Sequence, residues 1–133
     1  MSDYSDLQAS YGRCVRNRDF IPGFYQRLLS KDERIAAMFK RTNWSVQNRA
    51  LRRGISIALT WAGGSKIVDR QLEEMADAHS RKGRVPVDPV LYVFWREALM
   101  ESVRLHDPQL TPELERRWSD ALKKTTDYFI ELY

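Results

Sequence analysis

Apolar residues recur every three to four positions along almost the whole chain, the spacing of helices that bury one face. Ser5-Asp6-Leu7-Gln8 reads as a capping box, in which Ser5 and Gln8 satisfy free backbone donors of a first helix reaching about Asn17. Asp19 is placed to cap a second helix, with Pro22 in its first turn and Ile21, Phe24, Tyr25, Leu28 and Leu29 on one side. Ser30-Lys31-Asp32-Glu33 forms another capping box before a short helix through Ile35, Met38 and Phe39. Thr42-Asn43 then opens a long helix whose stripe runs Trp44, Gln47, Leu51, Ile55, Ala58, Leu59 and Ala62, ended by Gly63-Gly64. The next helix carries Val68, Leu72, Met75, Ala76 and His79 on one face and closes at Gly83. Val85-Pro86-Val87-Asp88-Pro89 is extended, because residues before proline avoid helical angles. Asp88-Pro89 and Thr111-Pro112 each pair a cap with a first-turn proline. The helices they open carry Leu91, Trp95, Ala98, Leu99, Ser102 and Leu105, then Leu114, Trp118, Ala121, Leu122, Thr125, Phe129 and Tyr133, and Asp107-Pro108 separates them. The pattern predicts an all-α fold of six or seven helices.

Three polar side chains stand on stripes that ought to be apolar, where an unpaired polar group costs a few kcal/mol. They are Tyr25, Gln47 and His79. Each has an ordinary explanation: a phenol reaching a carbonyl, an amide one turn from a helix start, a satisfied core histidine. Spacing alone favours those explanations over a metal ligand at His79. His106, at a helix end before Asp107-Pro108, suits the negative end of the helix dipole and is given no chemical task.

Composition narrows the picture further. The 133 residues fit one domain spanning 1–133, and 43% apolar content is enough for a real core. The single cysteine, Cys14, cannot form an internal disulfide, which suits a reducing cytoplasm. The opening residues lack the layout of a secretion signal, and no apolar run reaches membrane-spanning length, so no membrane partner is expected. A net charge of +4 makes no claim on nucleic acid by itself. Lys40, Arg41, Arg49, Arg52 and Arg53, and then Arg81, Lys82 and Arg84, are read first as a solvated face, next as an anionic-ligand site, last as a nucleic-acid surface. No Gly-rich phosphate loop, paired-cysteine zinc pattern or nucleophile elbow occurs.

In order and spacing these features resemble a bacterial single-domain globin, close to the globin module of the flavohemoglobins. The residues that carry the resemblance are Phe24-Tyr25-Gln26-Arg27-Leu28-Leu29, Phe39, Gln47 with Leu51, Ala76-Asp77-Ala78-His79, and Val87 to Trp95 with Tyr92. It covers about Ser5 to Tyr133 and implies helices A, B, C, E, F, G and H, with the D helix absent or reduced. It implies noncovalent haem b, since no Cys-x-x-Cys-His is present, with His79 as proximal iron ligand. Tyr25 and Gln47 become a distal pair that hydrogen-bonds dioxygen, nitric oxide or carbon monoxide. Phe39, Leu51, Tyr92, Trp95 and Met75 would line the cofactor, and Arg52, Arg53, Arg81 or Arg84 would meet its propionates.

Two departures follow from the same likeness. The chain carries no flavin or nicotinamide module, so any turnover would draw electrons from a separate reductase. The flavohemoglobin glutamate that polarises the proximal histidine has no counterpart at the right spacing, Glu131 being misplaced. The resemblance therefore points first to a reversible binder of diatomic ligands, as monomer or homodimer. Nitric-oxide dioxygenation with an external reductant comes next, then a gas sensor acting through a partner. A helical interaction module without haem is the remaining alternative.

Overall fold

The computed structural model describes residues 5–133; the opening Met1–Tyr4, part of the stretch read for a secretion signal, lies outside them. Seven α-helices follow in order: α1 (Ser5–Val15), α2 (Phe20–Leu29), α3 (Glu33–Met38), α4 (Trp44–Ala62), α5 (Asp69–His79), α6 (Tyr92–His106) and α7 (Pro112–Glu131). A one-turn 3-10 helix, Pro89–Leu91, leads into α6, and the described residues contain no strand. Only the five residues 39–43 separate α3 from α4, which leaves no helix where a D helix would stand.

Caps explain most of the boundaries. The Asn43 carboxamide accepts from Val46 N–H, the Asp88 carboxylate from Val90 N–H and the Thr111 hydroxyl from Leu114 N–H, each meeting a donor the first turn leaves free. Gly64 takes φ +96° after α4, an angle L side chains rarely adopt. Three expectations shift. Asp19 stands before α2 but makes no cap with its side chain; its own N–H donates to Asn17 Oδ1 at 2.8 Å. Asp32, not Ser30, caps α3, and Ser30 turns its hydroxyl back to the Arg27 carbonyl at the end of α2. Gln8, expected in the cap of α1, sends its amide nitrogen across to the Ser56 carbonyl and the Thr60 hydroxyl of α4.

α2 packs along α6 and α4 along α7, with α1 crossing α4, α6 and α7. Trp118, Phe20, Phe24, Leu59, Leu99 and Leu122 are fully buried, and each aliphatic side chain among them contributes roughly 1.5–3 kcal/mol. The buried core divides in two. A large cluster joins α1, α2, α4, α6 and α7 and includes Phe24 and Tyr25. A small one holds Leu72, Ala76, Tyr92 and Phe129. Among the described residues, Val87 is the partly buried hydrophobic that packs on both.

α1 and α6 are also joined by polar groups. The Asp107 side chain is fully buried and accepts from Arg13 Nε (2.6 Å) and Nη2 (3.0 Å), Ser10 Oγ (2.5 Å) and Gln109 N–H (2.9 Å). Ser10 in turn accepts from the Trp118 indole at 2.8 Å. Cys14 is buried, and that burial pushes its thiol up to about 12. At pH 8 the thiolate fraction is then small enough to slow modification by a thiol reagent roughly a thousandfold against free cysteine. Ellman titration of native and denatured protein checks this, and a fast native reaction would refute it.

Candidate functional site

His79 is the last residue of α5. Its Nδ1 lies 2.7 Å from the Met75 carbonyl oxygen, one turn earlier in the same helix. A carbonyl can only accept, so Nδ1 carries the proton and Nε2 keeps a free lone pair. Nε2 has no hydrogen-bond partner among the described residues. The ring stacks on Phe129 of α7 at 5.7 Å and 28°, and Phe129 meets Tyr92 edge-on at 6.0 Å.

The chain beyond α5 fixes the histidine's backbone. Val87 N–H donates to the His79 carbonyl (3.0 Å) and Val85 N–H to the Ala78 carbonyl (2.9 Å), so the extended segment satisfies carbonyls that the helix end leaves over. α5 stops at His79 rather than running towards Gly83, which sits in the tight turn that follows. A Cβ at Gly83 would fall 2.2 Å from the Asp77 carbonyl and 2.3 Å from the Ala78 carbonyl. Only glycine permits that approach.

Tyr25, on α2, is buried, and its phenolic oxygen accepts from Gln47 Nε2 of α4 at 2.9 Å. Three aromatic rings meet it edge-on: Trp44 at 5.0 Å, Phe24 at 5.1 Å and Phe39 at 5.6 Å. Burial pushes the phenol up to about 12 against the opposing effect of Gln47. Tyr25 therefore stays a neutral hydroxyl at physiological pH, and with Gln47 donating, its own proton remains available.

The other residues picked from sequence fall on the same elements. Phe39 and Leu51 pack half-buried on the large cluster, as does Trp95, which meets Phe24 edge-on at 6.2 Å. Tyr92 is buried in the small cluster, and Met75 packs on it with its methyl 3.4 Å from where a Cβ on Gly54 of α4 would lie. Sequence reasoning missed Trp44 and Phe129 as members of the two sites. Trp44 stacks on Phe39 at 5.7 Å and 17°; at a helix start, its stripe position gave no sign of this. The basic side chains Arg52, Arg53, Arg81 and Arg84 are exposed, and the Arg81 guanidinium lies 4.9 Å from the Tyr133 ring centroid. No helix among the described residues is long and apolar enough to cross a membrane, and no group of three or more His, Cys, Asp or Glu side chains is placed to hold a metal.

The donor set suits a planar iron macrocycle. One imidazole nitrogen is unpartnered and oriented by a backbone acceptor, as iron-bound histidines usually are. The buried core is divided into a cluster on the histidine's side and a cluster that holds the tyrosine.

The chain is similar to a crystal structure from Pseudomonas aeruginosa PAO1, of a protein described as structurally highly homologous to a human hemoglobin. The TM-score is 0.91, with 29% identity over 98% of each chain. No protein-family model matches the chain, and no curated protein matches it significantly.

Proposed function

From the fold of a bacterial single-domain globin, which this chain has, we propose that it binds haem b noncovalently and reversibly binds dioxygen and other diatomic ligands. The observation that carries the proposal is the free Nε2 of His79, held in place through Nδ1 by the Met75 carbonyl. Haem, when bound, supplies an iron with a coordination position open to such ligands. His79 would then serve as iron ligand, and Phe39, Leu51, Tyr92, Trp95 and Met75 would line the macrocycle. Tyr25 would donate a hydrogen bond to the bound ligand, with Gln47 holding the phenol in position. Arg52, Arg53, Arg81 and Arg84 are the candidates for the propionates. The reading places the protein in the cytoplasm.

The bond to Met75 favours a binder over a peroxidase. A backbone carbonyl draws less proton density from imidazole than a carboxylate does, so the histidine gives less electron density to iron. Nitric-oxide dioxygenation with a separate reductase is the second reading, supported by the Tyr25–Gln47 pair, which suits either role.

An absorption spectrum before and after hemin, dithionite and carbon monoxide tests the proposal. A Soret band that moves with carbon monoxide is expected; a folded chain that takes up no hemin would overturn it. Tyr25→Phe removes one hydrogen bond to the ligand, worth ~1–1.5 kcal/mol, and so speeds dioxygen release roughly tenfold. An unchanged off-rate by stopped-flow would take Tyr25 out of the distal role.

A further inference from the structure

A second site lies at the other end of α6. Tyr92 opens that helix and His106 ends it, roughly 21 Å away at 1.5 Å per residue. There, an open cleft of about 650 Å³ forms where the α1–α2 turn meets the end of α6. Arg13, Arg16, Asn17, Arg18, His106 and Gln109 supply its nitrogen donors, and Asp19 is the one carboxylate on its lining.

Ordinary duties account for only part of this charge. Arg13 is spent on Asp107. It also stands in the last turn of α1, as Arg104 and His106 do in α6, where cations offset the negative helix ends. Arg16 and Arg18 have no such task, and among the described residues neither makes a hydrogen bond or ion pair. Asn17 uses its oxygen on the Asp19 N–H, which leaves the amide nitrogen free. Two unpaired guanidiniums, a spare carboxamide donor and an imidazole thus line one open cleft. Guanidinium recognises tetrahedral oxyanions through paired N–H donors, and several such forks favour a multiply charged anion over a single chloride.

We propose that this cleft binds a small phosphate-bearing anion, with Arg16 and Arg18 as the main contacts and Asn17, His106 and Gln109 as supporting donors. Asp19 limits the affinity. The site is separate from the haem reading and stands or falls without it.

Inorganic pyrophosphate is the probe, titrated by calorimetry and by NMR of the arginine side-chain N–H groups, with sulfate at matched ionic strength as control. The expected result is saturable one-to-one binding that exceeds the sulfate response. Arg16→Gln with Arg18→Gln should weaken it at least tenfold, and Asp19→Asn should tighten it several-fold. All three positions are exposed, and unchanged melting would confirm that the variants fold. A non-saturating response, an equal response to sulfate, or wild-type binding by the double variant would overturn the proposal. So would binding that disappears in Arg52→Gln with Arg53→Gln, which would move the anion to the basic face of α4.

Discussion

His79→Ala is expected to leave the protein folded but to abolish most of the proposed haem retention. The imidazole is half-buried, and its contacts are a stack on Phe129 and one backbone bond within its own helix. Truncation trims the small cluster without opening the large one, so the secondary structure should persist. The proposed bond from Nε2 to iron, by contrast, is removed outright. Loss of an outer-shell partner of a metal ligand typically costs 10–100-fold in affinity, and loss of the ligand itself should cost more. Hemin transfer to a scavenging apoprotein measures this directly. Retention and a spectrum like those of wild type would remove His79 from the iron. A variant still helical by circular dichroism makes the result a statement about ligation rather than folding.

The second large effect belongs to Asp107. Burial is the strongest single influence on this carboxyl and pushes its pKa up; Arg13, Ser10 and the Gln109 N–H together outweigh it, and the net direction is down. Asp107→Ala leaves the Arg13 guanidinium, the Ser10 hydroxyl and a backbone N–H without their acceptor. Arg13 reaches the surface and can turn to water, so the loss is that of hydrogen bonds to a charged group, about 1.5–3 kcal/mol. For a chain of this size that lowers the melting temperature by about 5–10 °C. Differential scanning calorimetry would show it, and a drop under about 2 °C would mean that the network contributes little.

The pH dependence has a definite sign. The folded pKa lies below the unfolded one, so the stabilisation is complete above about pH 4, the ordinary aspartate value. It fades as pH falls from there through the folded value. Wild type and variant should therefore differ most at neutral pH and converge in acid.

The helices were legible because one-sided burial leaves a three-to-four spacing in the stripes of α4 and α7, and because Asn43, Asp88 and Thr111 are caps whose chemistry is local. The failures share a physical cause. Gln8 and Asp107 looked like a local cap and a local breaker, yet Gln8 bonds Ser56, 48 positions away, and Asp107 holds Arg13 and Ser10, 94 and 97 positions away, besides its neighbour Gln109. Sequence neighbours cannot reveal such pairings. His79, Tyr25 and Gln47 stood out as polar residues on apolar stripes. That signal marked the positions without distinguishing a cofactor from an ordinary satisfied core group. The resemblance supplied the assignment. The geometry then added the tautomer of His79 and the direction of the Gln47–Tyr25 bond. The acceptor of the His79 ring, a backbone oxygen, has no side-chain identity to read at all.

The divided core has a thermodynamic corollary. Haem held between the two clusters, as proposed, would contribute its binding free energy to the folded state alone. By mass action, ligand at a hundred times its dissociation constant adds about 2.7 kcal/mol to unfolding. Heat resistance thus becomes a gauge of occupancy. A cell short of the cofactor would hold a population of this chain nearer its unfolding threshold, where turnover by proteases rises steeply for each kcal/mol lost.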